Sequence, residues 1–146
     1  ITYIDLPAAN VLTGTVIAKR DNNEIALAIT NKMAWINKIM TANGLKPAGP
    51  MRIVTNELTS DSYSFDVMQP ISKDGQTTGD WVITTEQGIV FEQIPAGRAA
   101  TTEYKGYATG LQGEREAIRA WAMVQGASTR DRGYDEYLSP IPMMMT

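Results

Sequence analysis

The chain has 146 residues, 43% hydrophobic and 20% charged, the balance of one compact globular domain and not of a disordered segment. Lys and Arg number 13 against 16 Asp and Glu, for a net charge of −3, and no dense basic run occurs, so direct nucleic-acid contact by this segment is not expected. Neither Cys nor His is present, which excludes disulfides, thiol nucleophiles, zinc sites of the usual kind and Ser–His or Cys–His catalysis.

Any catalysis would therefore run on carboxylates, Tyr, Lys or Arg, and no metal or other cofactor is expected. The apolar runs fall short of a membrane span and no signal-peptide pattern opens the chain, so neither membrane contact nor secretion is expected. Nothing demands an oxidising compartment, and a cytoplasmic location is expected. The first residue is Ile1, which favours a piece of a longer protein with another domain fused before it.

In chain order, Thr2–Leu6 and Val11–Ile17 read as extended, with Pro7 punctuating between them. Asp21, Asn22 or Asn23 offers a helix N-cap, with Glu24 in the first turn. Ile25, Ala28, Ile29, Met33, Ile36 and Met40 then recur at helical spacing through Asn43. Gly44 takes the position after the C-cap, and Pro47 enforces the stop. Met51–Thr55 reads as a strand and Ser64–Ile71 as its antiparallel partner across the polar turn Thr59–Ser62.

Ser72–Asp80 has the chemistry of a loop or linker, and Trp81–Thr85 reads as a weak strand. Ile89–Ile94 and Arg98–Tyr104 read as stronger strands separated by Pro95-Ala96-Gly97. A second helix is predicted from about Leu111 to Gln125, with Leu111, Ala117, Ile118, Trp121 and Ala122 on one stripe and Gly126 closing it. A polar loop, Ala127–Arg132, leads to a strand at Tyr134–Leu138 and a Met-rich tail.

The halves rhyme. Asp5-Leu6-Pro7-Ala8-Ala9 matches Gln93-Ile94-Pro95-Ala96-Gly97, and each is followed by a strand and a helix that ends at Gly44 or Gly126. The pattern predicts an α+β fold of two strand–helix–strand–strand units, about 1–71 and 81–146, joined by the polar loop 72–80. One antiparallel sheet would carry both helices on one face and leave a ligand cleft where the units meet.

Ile94-Pro95-Ala96-Gly97-Arg98, Gly106-Tyr107, Trp121 and Tyr134-Asp135-Glu136-Tyr137-Leu138-Ser139-Pro140 follow in order and spacing, and Leu6-Pro7-Ala8, Gly44-Leu45-Lys46-Pro47 and Phe65-Asp66-Val67-Met68-Gln69-Pro70 complete the set. With these the chain resembles, over nearly its whole length, the GyrI-like or bacterial transcription-activator effector-binding family, which includes drug-binding domains of multidrug-responsive regulators. Two departures stand out. The family usually has a Glu two residues before the strand Tyr, where this chain has Asp135 with Glu136 next door. Members also finish with a further strand, whereas here only Ile141–Thr146 remain, with Met143–Met145 in its place.

Asp135 and Tyr137 alternate and would share one strand face, an expensive pairing indoors unless a ligand or partner satisfies it. A one-residue shift of register would turn Glu136 inward instead. The resemblance implies that Asp135 or Glu136 places an acid in an aromatic pocket with Tyr137, Trp121 and Tyr104, attracting apolar or cationic small molecules. Tyr3 and Tyr107 are weaker candidates of the same kind, Trp35 reads as core, and Trp81 as a cap on the cleft or an anchor for the loop. Gly110-Leu111-Gln112-Gly113 lacks the strand and the Lys-Ser/Thr of a phosphate loop, and Glu114, Arg115, Glu116 and Arg119 read as a solvated helix face.

The function expected first is an effector-binding module of a transcription regulator or other multidomain protein. A second is a hydrolase of electrophilic small molecules, with Asp135 or Glu136 as base or electrostatic partner and Tyr137 or Tyr104 as proton donor. A third is a stand-alone inhibitory protein that contacts a larger enzyme.

Overall fold

The computed structural model describes residues 2–101, 117–118 and 135–136. Their elements are β1 (Thr2–Leu6), β2 (Ala9–Lys19), α1 (Asn22–Ala42), β3 (Lys46–Pro47), β4 (Arg52–Leu58), β5 (Ser62–Ser72), β6 (Val90–Ile94), β7 (Gly97–Thr101) and β8 (Asp135–Glu136). Residues 117–118 are helical, inside the predicted second helix; the rest of that helix, Tyr104, Tyr107, Trp121, Tyr137 and the Met-rich tail lie outside the described residues.

α1 forms where capping chemistry and apolar spacing agree. Asp21 is the N-cap, its carboxylate accepting from the Asn23 and Glu24 amides at 2.8 and 3.1 Å. At the other end Gly44 turns to φ 68°, and the Leu45 amide reaches back to the Met40 carbonyl at 2.8 Å, closing the helix with buried Leu45 as its apolar contact. The buried stripe is Ile25, Ala26, Ile29, Ile36, Ile39 and Met40. Ala28 and Met33, predicted inside, are only half-buried, because the sheet contact centres on the row of Ile36 and Ile39.

The fold is α+β and its sheet antiparallel. The six-stranded sheet runs β6-β2-β5-β4-β8, with β3 added beside β5. β2 and β5 form the central ladder from Asn10↔Ile71 to Lys19↔Ser62, and β4 pairs β5 as the hairpin expected, with an irregularity between Thr55 and Glu57. Residues of odd number on β5 (Tyr63, Phe65, Val67, Ile71) join Leu12 and Val16 of β2 and Ile53 of β4 against α1. Phe65, Leu12, Ile29, Ile36, Ile53 and Ile71 are fully buried there.

Two expectations change. β1 and β7 form a separate two-stranded ladder, Leu6↔Gly97 to Thr2↔Thr101, and do not extend the main sheet. The β2–β6 ladder, Ala9↔Ile94 to Thr13↔Val90, keeps the same register, so Pro7 and Pro95 fall together at the break, where neither has an amide to donate.

Residues 81–85 are not a strand: Thr84 is held by the Asn43 side chain, which donates to its carbonyl at 2.9 Å and accepts from its amide at 3.1 Å. Residues 72–80, expected as loop or linker, form a loop tied down at several points. Asn10 bonds to the Thr77 carbonyl through its amide (3.0 Å) and to the Gly79 carbonyl through its side chain (2.8 Å), and Gln93 bonds to Gly79 and Asp80.

Candidate functional site

Part of the sheet face opposite α1 is also buried, and it is mixed in character, while Thr15 and Ile17 farther along β2 are exposed. Val11, Val54 and Met68 form a second apolar cluster with Ala9 and Ile94 packed against it. Alternation puts Thr13 and Thr15 of β2, Asp66 of β5 and Arg52 of β4 on this face. Thr13 is 4% exposed and Arg52 9%.

Register arranges these positions in rows. Thr13 lies across from Met68, Met68 across from Arg52, and Arg52 across from Glu136. Neighbouring strands are about 4.8 Å apart, so this row crosses four strands in roughly 14 Å. The next row joins Thr15, Asp66 and Val54. Asp66 is its polar centre: Thr15 Oγ1 donates to its Oδ1 at 2.7 Å and Asn56 Nδ2 at 2.9 Å. Thr13 Oγ1, in contrast, is buried with no hydrogen-bond partner among the described residues. A buried hydroxyl that bonds to nothing carries its desolvation cost uncompensated, and such atoms point to water or ligand.

Of the predicted site residues, Asp135 and Glu136 are both in β8, Asp135 across from Ile53 and Glu136 across from Arg52. Tyr137, Trp121 and Tyr104 lie outside the described residues. Tyr3 is half-buried with the Arg98 guanidinium 4.3 Å over its ring. Trp81 stacks on Phe91 at 6.0 Å and lies against Gly79, so it anchors the loop. Trp35 packs at the edge of the core and carries the Lys38 ammonium 4.3 Å over its ring.

Thr13, Thr15 and Asp66 were not singled out from the sequence. The available signal was the one used for Asp135: a polar residue alternating with apolar ones inside a strand, here Tyr63-Ser64-Phe65-Asp66-Val67-Met68. Among the described residues no group of three acidic side chains is placed to hold a metal ion, and no helix is long and apolar enough to cross a membrane.

No protein-family model matches the chain, and no curated protein matches it. Among solved structures it is similar to the C-terminal domain of EcmrR in a crystal structure, with a TM-score of 0.71 and 18% identity over 96% of this chain and 84% of that one. It is also similar to EcmrR in a cryo-EM structure of the EcmrR–DNA complex in EcmrR-RPo, with a TM-score of 0.70 and 18% identity over 94% of this chain and 48% of that one. The chain thus spans about half the length of EcmrR in the DNA complex. At this identity the likeness shows the fold alone.

Proposed function

We propose that this chain is the small-molecule effector-binding module of a transcription regulator, and that an apolar or cationic ligand lies on the sheet face opposite α1. The observation that carries this reading is the buried Thr13 hydroxyl, unbonded among the described residues and set among Val11, Val54 and Met68. An apolar surface with a few convergent polar groups is the usual make-up of a small-molecule site.

The likeness to the C-terminal domain of EcmrR supports the regulator context, and EcmrR is seen in complex with DNA. We assign DNA contact to a domain fused before Ile1 and none to this segment, whose net charge is −3. Duplication into units of about 1–71 and 81–146 is part of the same reading. It is supported by the shared register through the Leu6-Pro7 and Ile94-Pro95 segments.

For the acid, the register supports Glu136, whose position continues the row of Thr13, Met68 and Arg52. Asp135, the inward acid on the Asp135–Tyr137 alternation, takes a position in the row of Ile53. Trp121 and Tyr104 keep the aromatic-wall role that the resemblance implies, while Tyr137, which alternates with Glu136, is not assigned to that wall.

A thermal-shift screen with a panel of apolar cations and neutral amphipathic compounds tests the proposal. Binders should raise Tm in the wild type and in Asp135→Asn, and lose most of that effect in Glu136→Gln. A panel without a single binder would overturn the reading. A binder indifferent to both variants would overturn the role of the acids.

A further inference from the structure

A second concave site lies at the edge of β2, where it meets the margin of that face at Thr15 and Ile17. β6 accompanies β2 only as far as Thr13↔Val90, and beyond it a groove of about 310 Å³ opens between the β2 edge and the outer side of α1. Its walls include Thr15, Val16, Ile17, Lys32, Trp35 and Gln87, and among the described residues Lys32 is the one charged group in the lining and no acid is there. Ile17 is 75% exposed.

The position of Lys32 is built in. Gly14 has no side chain, and a Cβ there would come within 2.6 Å of Lys32 Cδ, so the bare strand is the bed on which the lysine stem lies. The side chain is half-buried, and its ammonium makes no hydrogen bond or ion pair among the described residues. Long lysine stems on apolar surface commonly present their charge at the rim of such a groove.

Gln87 adds a further mark of function. It has φ 58° in a turn closed by the Ile89 amide on the Glu86 carbonyl at 3.1 Å, where the following Gly88 has φ 72°. Such turns favour Asn or Gly at the first position, so a glutamine there is strained, and strain of this kind gathers at ligand clamps. The turn brings Gln87 to the lining of the groove.

We propose that this groove binds an amphipathic carboxylate, its flat apolar body against Trp35 and Ile17 and its carboxylate on Lys32, with the Asn31 and Gln87 amides as further donors. The groove borders the effector face at Thr15 and Ile17 but lies beyond its Val11, Thr13, Val54 and Met68 patch, and Lys32 and Trp35 belong to the groove alone. A partly exposed lysine–carboxylate contact is modest, so affinity depends on the apolar body as well as the charge.

Titration of the isotope-labelled chain with 2-naphthoate, followed by ¹H–¹⁵N spectra, tests this. Saturable shifts are expected at Thr15, Ile17, Lys32 and the Trp35 indole. Affinity should fall roughly three- to fivefold with neutral 2-naphthamide and in Lys32→Met, which keeps the stem and removes the charge. Gly14→Ala, which displaces a flexible stem and not backbone, should weaken binding while the protein stays folded. Three results would overturn the proposal: no saturable shift at the groove up to the solubility limit, equal affinity in Lys32→Met, or shifts confined to Val11, Val54 and Met68.

Discussion

Thr15 and Asp66 face one another across the central ladder, and the threonine hydroxyl donates to the carboxylate at 2.7 Å while Asn56 donates to the same oxygen. A half-buried acid is thereby held in place on the face opposite α1 by two neutral donors. Asp66→Ala removes the acceptor of two solvent-exposed hydrogen bonds and is expected to cost about 0.5–1.5 kcal/mol in urea unfolding. Asp66→Asn keeps an acceptor and should cost less than half as much. Equal losses would show that the charge, and not the accepted bonds, holds the site.

The ends of α1 offer a cleaner case. Asp21→Ala removes the acceptor for two first-turn amides and is expected to lower stability by about 1 kcal/mol, or roughly 3 °C in Tm. Asp21→Ser should recover most of it. Gly44→Ala forces a Cβ into φ 68° and is expected to cost about 1 kcal/mol, although nothing lies within 4 Å of that Cβ. A neutral Gly44→Ala would contradict the left-handed cap.

Phe65 is 0% exposed and packs on Tyr63 with ring centroids 4.6 Å apart, at the centre of the contact between β5 and α1. Phe65→Ala is expected to cost about 3–5 kcal/mol. The same truncation at exposed Ile17 should change stability by less than about 0.5 kcal/mol. Comparable losses at the two sites would contradict the assignment of faces on β2 and β5.

Thr13→Val replaces a hydroxyl that is unbonded among the described residues by a methyl of similar size. If that hydroxyl waits for a ligand, the free protein should gain up to about 1 kcal/mol and about 3 °C in Tm, and ligands should bind more weakly. A loss of stability would mean that the hydroxyl is already satisfied in the free protein.

Local chemistry made much of this fold legible. Asp21, the apolar spacing and Gly44 define α1 within a few adjacent residues, and the β4–β5 hairpin shows in the alternation on both sides of its turn. Trp81–Thr85 misled because Trp, Val, Ile and Thr favour strands, while their backbone finds its partner in Asn43, a residue 41 positions away. β3 has two residues and no pattern to read; it exists because Lys46 and Pro47 land beside Ser72 and Ile71. The site was harder still. Whether Asp135 or Glu136 continues the row of Thr13 depends on pairing with β4, and a strand's own sequence does not specify its neighbour's register.

The most direct test of the central claim is a methyl-resolved NMR footprint of any compound that raises the Tm of the wild type. The sheet-face account expects the largest shifts at the methyl groups of Val11, Thr13, Val54 and Met68, with Leu12, Val16 and Ile53 beneath α1 far less affected. A tightly bound compound that leaves Val11, Val54 and Met68 unmoved would contradict it.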